Sequence, residues 1–453
     1  MARLEDVKRV HLIGIGGCSM NGLAQILAAK GYEVTGSDRS PSPFTKRLEE
    51  LGIPVTIGHD GKNVEGAQLV IYSAAIKPEN PERAAAKALG IPEMERSVAL
   101  GQISAHFHHV VGIAGCHGKT TITSMLALIA EQDALDATVH VGGFVDFLQG
   151  GTRLGKADLF ITEACEYVES FLTLKPTIAV INNIDDDHLD YYKDIDHITD
   201  AFRKFLALLP EDGVFFGCAD DFRVRELMEK AQVRTLSYGM ADADYVPADI
   251  QYDQWGNPAF DVVKQGKGLG RIALQVPGKH NIVNALAATA VALELGAPFG
   301  LVAKALAQYT LTRRRFEFFG ERDGIKVFHD YAHHPAEIRA TLDAASRYPH
   351  KKLWCVFQCN SYTRAKTLFT EHVDCFQDAD EVLVPDIYPG REVDTGMVHA
   401  RDMVAGICAA GTKAEYLATF EEIRAYLDQH AQSGDVVVTV GSGDVYTQTR
   451  KLL

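Results

Sequence analysis

The run Gly115-Cys116-His117-Gly118-Lys119-Thr120-Thr121 sets glycines, an ammonium and a hydroxyl side by side. That set suits the terminal phosphates of a nucleotide. Glycines let backbone N–H groups face phosphate oxygens, a lysine reaches the outer phosphates, and a hydroxyl ligates Mg²⁺. The general phosphate-loop pattern wants its first glycine where this chain has Ile113, so a strand-to-helix turn with a solvated lysine is the competing reading. A phosphate-bound Mg²⁺ needs further hard ligands, expected where neighbouring strands end. Glu163, after Leu159–Thr162, and His188, after Asn182-Asn183-Ile184-Asp185-Asp186-Asp187, are the candidates.

A second glycine cluster, Gly14-Ile15-Gly16-Gly17-Cys18-Ser19, follows the apolar run Val7–Ile13. Asp38 lies about 22 residues beyond Gly16, as a dinucleotide fingerprint would have it. Ser19 stands in the third glycine's place, and a second nucleotide loop makes a nicotinamide cofactor redundant. A grip for another diphosphate is the better reading, with a dehydrogenase as the rival. Ser73-Ala74, ending the run Leu69–Tyr72, supplies either a contact for the same ligand or a plain packed turn.

These loops need strands and helices to hold them. Apolar runs of strand length alternate with helical stretches along the chain, which predicts an α/β fold with mainly parallel sheets. Three domains are expected: a Rossmann-like unit over 1–106, a central phosphate-loop ATPase over 107–314 and a Rossmann-like unit over 315–453. The central unit should carry strands at Val110–Ala114, Leu159–Thr162 and Thr177–Ile181 and an alanine-rich helix at Ile282–Leu295. The last should carry strands at Ile325–Phe328, Leu353–Phe357, Glu381–Val384 and Val436–Val440. The glycine- and aspartate-rich stretch 242–270 reads as irregular hairpins.

At 453 residues and 47% hydrophobic, 23% charged, the chain has the composition of a folded protein with several cores. A net charge of −15 argues against a polyanion grip, so no nucleic-acid partner is expected. The eight cysteines show no C-x-x-C pair and read as free thiols. The N-terminus lacks the layout of a signal peptide, and no apolar run approaches the ~18 residues of a membrane span. A cytoplasmic protein without membrane insertion is expected.

Taken together, these motifs resemble the Mur ligases of peptidoglycan synthesis over essentially the whole chain. The carriers are Leu12–Gly17 with Gly36–Asp38, Gly115–Thr121, Glu163–Leu172, Asn183–Asp190, Gly278–Asn281, Arg314–Glu317 and Asp330–Glu337. The resemblance implies a first domain that holds a UDP-sugar, a central ATPase and a closing third domain. It also implies ATP and Mg²⁺ as cofactors and an acyl phosphate formed on the lactyl carboxylate of UDP-N-acetylmuramate, which the amine of L-alanine then attacks. Within the family, Ser170-Phe171-Leu172 resembles the alanine-adding branch. A branch attaching a recycled murein peptide, and a catalytically inactive nucleotide-gated binding protein, are the alternatives.

By matching position, the resemblance places Gly14, Gly16, Gly17, Cys18, Ser37, Asp38, Ser73 and Ala74 on the UDP-sugar. Gly115, Cys116, His117, Gly118, Lys119, Thr120, Thr121, His280, Asn281, Arg315 and Asp330 fall on ATP, and Thr120, Glu163 and His188 on Mg²⁺. His333 and His334 fall near the reacting groups with Lys119 and Arg315, or are packed interface histidines. Tyr362, Arg364, Tyr388 and Arg391 fall on the amino-acid side. Cys165 and Val168 stand where the family usually has carboxylates, and Cys359-Asn360-Ser361 interrupts a stretch that commonly reads Pro-His. Thiols at Cys18, Cys116, Cys165 and Cys359 are small buried side chains or, alternatively, points where alkylation inactivates the enzyme.

Overall fold

The computed structural model describes residues 2–132, 135–188, 191–310, 314–390 and 392–453. They carry three sheets. The first is parallel throughout, with strands in the order Val55–Ile57, Glu33–Asp38, Arg9–Ile13, Leu69–Tyr72 and Glu93–Glu95. Its central strand is buried at four of five positions, as a strand covered on both faces must be. Strand order reverses beside Arg9–Ile13, so the glycine turn that follows it opens at a topological switch point, where α/β sheets take ligands.

The second sheet contains Arg234–Tyr238, Val214–Cys218, Ile178–Ile181, His109–Ala114, Leu159–Glu163, Thr138–Val145 and Gly150–Arg153 as neighbours in that order. All of these pairings are parallel except the last, Thr138–Val145 with Gly150–Arg153. The helix Lys119–Glu131 leaves the end of His109–Ala114 through the phosphate-type loop. That strand lies between Ile178–Ile181 and Leu159–Glu163, so the three strand ends that carry candidate chemistry are adjacent. Stretch 242–270 is more regular than its composition predicts. It forms the strands Tyr245–Tyr252, Pro258–Lys264 and, running on, Lys267–Ala273. Phe260 and Val262 face inward alternately with their neighbours, and Gln265 and Gly266, both at positive φ, make the tight turn.

The third sheet runs Glu317–Arg322, Ile325–Asp330, Val436–Val440, Leu353–Phe357, Glu381–Val384 and Ala414–Tyr416. Its first pairing is antiparallel and the rest parallel. Trp354, Val356 and Val437 bury one face, while Cys355, Phe357 and Val438 bury the other.

The described residues gather into two compact units: residues 1–246 with 262–270 and 284–306, and residues 247–261 with 271–283 and 307–453. Among the described residues no helix is long and apolar enough to cross a membrane.

Candidate active site

In the phosphate-type loop, Gly115 and Gly118 adopt φ of 127° and 88°, a region L side chains avoid. A Cβ on Gly118 would stand 2.5 Å from Asn182 Nδ2 and 2.6 Å from Asn284 Oδ1, so glycine is required twice over. The two asparagines that end Ile178–Ile181 clamp the loop. Asn182 and Asn183 both donate to the His117 carbonyl, at 3.1 and 3.0 Å, and the His117 N–H donates to Asn183 Oδ1 at 2.7 Å. Fixing the backbone this way aims the N–H groups of the following helix before any ligand arrives.

Lys119 turns its ammonium to the Gly115 and Cys116 carbonyls and to Glu166 Oε1, 2.8 Å away. Burial alone would lower its pKa, but the Glu166 carboxylate overrides this and holds the ammonium charged. Thr120 Oγ1 donates to Glu163 Oε2 at 3.1 Å, and Glu163 Oε1 accepts from the Gly142 N–H. His188 Nε2 lies 3.7 Å from Glu166 Oε1 and 3.6 Å from Asp187 Oδ2. Glu166, Asp187 and His188 each offer one ligand atom within 4.8 Å of the others. Of the predicted metal set, Thr120 and Glu163 are in contact, and His188 joins two carboxylates that the sequence reading passed over. The E-x-x-E spacing of Glu163 and Glu166 was the available signal for one of them.

The Glu166 carboxylate is 1% exposed, and its Oε2 has no hydrogen-bond partner among the described residues. A buried carboxylate oxygen left without a donor is costly, and a bound cation is the ordinary remedy. The loops on either side are strained in the same sense: Val168, Glu169 and His188 all sit at positive φ. Carboxylate and imidazole donors around a phosphate-type loop suit a hard divalent cation.

At the front turn, Gly14 has φ of 79°, and the Gly14 and Ile15 N–H groups donate to the Ser37 carbonyl. Asp38, at the end of the neighbouring strand, is half-buried. Its Oδ2 accepts the Gly16 N–H at 2.9 Å, so it braces the turn itself. Ser37 is wholly buried, with its hydroxyl donating to Glu82 at 2.6 Å, so its side chain does not face a ligand. Cys18 points to the Val141 carbonyl at 3.8 Å. Ser73 and Ala74 sit at the neighbouring strand end, and Ile76 of that turn is the nearest side chain to Gly14.

The helix Lys279–Glu294 begins three residues before the predicted Ile282, after Gly278 at φ 98°. His280 and Asn281 therefore occupy its first turn. His280 is exposed, while Asn281 is buried and donates to the Pro277 carbonyl at 2.7 Å. Asp330 ends its strand with both oxygens taken by the Phe316 and Ala332 N–H groups, and Arg315 lies 3.9 Å from it and 3.5 Å from Glu337. Burial pushes the Asp330 carboxyl up to about 6 against the opposing pull of Arg315. His334 caps the helix Pro335–Ser346, and Glu337 closes the capping box. His333 Nδ1 is 3.0 Å from the Tyr331 carbonyl, which makes Nδ1 the protonated nitrogen. His372, wholly buried, donates from Nε2 to the His333 carbonyl at 3.2 Å.

Three ends of the third sheet meet around Asn360. It bridges to Tyr388, and its amide donates to Ser442 Oγ at 2.7 Å. Tyr362 and Arg364 lie on the short helix that follows, behind Ser361 at φ 76°. Arg391 lies outside the described residues. Burial pushes the thiols of Cys18 and Cys359 up to about 12, and raises those of Cys116 and Cys165. Cys116 and Cys359 are buried and Cys18 and Cys165 half-buried.

Three family profiles match the chain: "Mur ligase family, catalytic domain" over residues 9–108, "Mur ligase middle domain" over 113–292 and "Mur ligase, glutamate ligase domain" over 314–443. Among curated proteins, the UDP-N-acetylmuramate–L-alanine ligase of Alkaliphilus metalliredigens is 44% identical over 99% of this chain and 97% of its own length. That of Acetivibrio thermocellus is 46% identical over 97% and 94%. Among solved structures, UDP-N-acetylmuramate-alanine ligase MurC from Thermotoga maritima superposes with a TM-score of 0.79 at 26% identity, covering 98% of both chains. A murein peptide ligase from Psychrobacter arcticus gives a TM-score of 0.70 at 25% identity with the same coverage. With three matching profiles and full-length relatives, the chain is a member of the Mur ligase family and has its three-domain α/β fold.

Proposed function

We propose that the chain joins L-alanine to the lactyl carboxylate of UDP-N-acetylmuramate at the expense of ATP, a cytoplasmic step in building peptidoglycan precursors. The observation that carries this is the charge arrangement behind the phosphate loop. Lys119 is paired to a buried glutamate beside Thr120–Glu163, in a chain 44–46% identical to ligases of that name. The three domains would divide at about residues 106 and 314: sugar nucleotide in the first, ATP in the second, amino acid on the third.

A carboxylate does not acylate an amine at neutral pH until one of its oxygens becomes part of a phosphate leaving group. In the first step the lactyl oxygen attacks the γ-phosphorus and ADP leaves. In the second, the amine attacks the acyl carbon, loses a proton, and phosphate departs with the original carboxylate oxygen. The loop amides at Gly115–Thr121 and the Lys119 ammonium neutralise charge on the transferring phosphoryl group. Thr120, Glu163 and His188, with Glu166 and Asp187, would hold Mg²⁺, which when bound neutralises phosphate charge.

His280 and Asn281 would meet the adenine side, with Arg315 and Asp330 contributing to the nucleotide. Gly14, Gly16, Gly17 and Cys18, with Ser73 and Ala74, would form the UDP-sugar grip, chiefly through backbone N–H groups. His333 and His334 are assigned near the reacting groups. Tyr362, Arg364, Tyr388 and Arg391 are assigned to the amino acid, where an arginine can pair with its carboxylate.

The test is ADP release with UDP-N-acetylmuramate, Mg²⁺ and a panel of L-alanine, L-serine, glycine and a murein tripeptide. L-Alanine should give the highest kcat/KM. Release with the tripeptide alone would assign the recycling reaction instead, the activity named for the Psychrobacter arcticus neighbour.

A further inference from the structure

The helix that opens the front glycine turn, Cys18–Ala29, packs on the strands Thr138–Val145 and Gly150–Arg153 of the second sheet. Arg96 Nη1 donates to Ser19 Oγ at 2.9 Å, Ser19 Oγ lies 2.9 Å from His140 Nε2, and His140 Nδ1 lies 3.5 Å from Thr152 Oγ1. A guanidinium can only donate, so Ser19 Oγ accepts from Arg96 and keeps its one hydrogen to give to His140 Nε2. In that arrangement the ring carries its proton on Nδ1 and donates to Thr152. The chain Arg96 to Ser19 to His140 to Thr152 thus has one polarity from end to end. His140 is 3% exposed, and burial drives its pKa down to about 3, in keeping with the neutral tautomer this polarity requires.

No room is left for this seam to slide. A Cβ on Gly22 would lie 2.3 Å from His140 Nδ1 and 2.4 Å from Thr152 Oγ1, and one on Gly151 would lie 3.0 Å from Cys18 Sγ. Two residues beyond His140, the Gly142 N–H donates to Glu163, whose other oxygen accepts from Thr120. Arg96 opens the helix Arg96–Ser104, and the next residue's carbonyl accepts from Thr173 Oγ1, at the end of the turn that follows Glu166. Both ends of the chain therefore run into the phosphate and metal-type cluster. Ser19 is the residue that departs from the dinucleotide fingerprint, and here its hydroxyl has a use that a glycine could not supply.

We propose that Arg96, Ser19 and His140 are positioning residues. Their hydrogen-bond chain fixes the front glycine turn against the phosphate loop and so sets the approach of the sugar carboxylate to the γ-phosphate. The proposal rests on the ligase reading for its catalytic consequence, but not for its structural one. A small displacement of reacting groups is costly in rate and cheap in binding. Ser19→Ala and Arg96→Gln should each lower kcat about tenfold or more, with KM for ATP and for UDP-N-acetylmuramate within about twofold of the parent, and Ser19→Thr should restore most of the rate.

Hydrogen exchange of the same proteins reads the seam directly. Amides of residues 18–29 and 138–145 should exchange faster in Ser19→Ala and Arg96→Gln than in the parent, with the rest of the chain unchanged. Parental exchange in both variants overturns the seam. Faster exchange with parental kcat, or a loss carried by KM, overturns the positioning role. If the parent itself releases no ADP with these substrates, the ligase reading fails, and the exchange arm still decides the seam.

Discussion

The two glycine loops of the first compact unit share a plan, strand then glycine turn then helix, yet they are braced in opposite ways. At the front turn Asp38 accepts the Gly16 N–H, and the helix behind it is held by the chain that runs from Arg96 through Ser19 to His140. At the phosphate loop the brace is made of amides, Asn182 and Asn183, and the charges are left to converge: Lys119 on Glu166, Thr120 on Glu163, His188 on Asp187. One loop can grip an anion with backbone alone. The other can also hold a metal and neutralise a phosphoryl group in motion. On the proposed function, similar local sequence gives a binding loop in one place and a reacting loop in the other, and the difference is made by residues on neighbouring strands.

Removing the ammonium should break this comparison most sharply. Lys119→Ala is expected to lower kcat by roughly 10²–10³-fold, the usual cost of one charge-stabilising donor, while UDP-N-acetylmuramate binding, measured by calorimetry, stays at the parental Kd. Loss of sugar-nucleotide binding would mean that the two loops do not serve separate ligands.

A smaller and more selective contrast comes from the glycines. Gly118→Ala puts a side chain at φ 88° and into Asn182, so ATP binding and turnover should collapse with a stability loss of about 1–3 kcal/mol for the backbone conformation alone. Gly16→Ala meets Asp38 Oδ2 at 2.8 Å and Thr45 Cγ2 at 2.9 Å, both ends of movable side chains. It should weaken the UDP-sugar and leave ATP binding near parental, and equal losses of both ligands would count against the distinction.

The smallest effect is on pH. His140 is neutral when folded, with a pKa near 3, against about 6.5 in the unfolded chain. Its contribution is therefore complete above pH 6.5 and is lost as pH falls towards 3, because the unfolded chain takes up a proton that the seam refuses. One such group contributes at most about 1.4 kcal/mol per pH unit. Urea midpoints between pH 7.5 and 4.5 should fall less steeply for His140→Gln than for the parent.

Much of this was legible beforehand, and for physical reasons. The strands Leu353–Phe357, Glu381–Val384 and Val436–Val440 are buried on both faces, so continuous apolar runs between turn residues gave their limits. The stretch 242–270 was misread because glycine and aspartate suggest irregularity, while the inward alternation of Phe260 and Val262 is a two-residue signal easily hidden among them. The start of Lys279–Glu294 was missed because apolar periodicity begins only at Ile282, whereas the helix is set going by the sharp turn at Gly278. Thr120 could be named from the phosphate-type loop, and Glu163 and His188 from strand ends. Glu166 shows in the sequence only as the E-x-x-E partner of Glu163 and Asp187 not at all, because what distinguishes them is the buried oxygen of Glu166 and a short distance between two strand ends, neither of which is written along the chain. Ser37 and Asp38 were found by motif, but their side chains turn out to brace the turn and its strand.

The central claim is that the phosphate loop activates a carboxylate. It is tested most directly with UDP-N-acetylmuramate carrying ¹⁸O in its lactyl carboxylate, turned over with ATP, Mg²⁺ and L-alanine. An acyl-phosphate route transfers one ¹⁸O from the carboxylate to the released inorganic phosphate for every amide bond formed. Amide formation with no ¹⁸O in the phosphate would contradict the account.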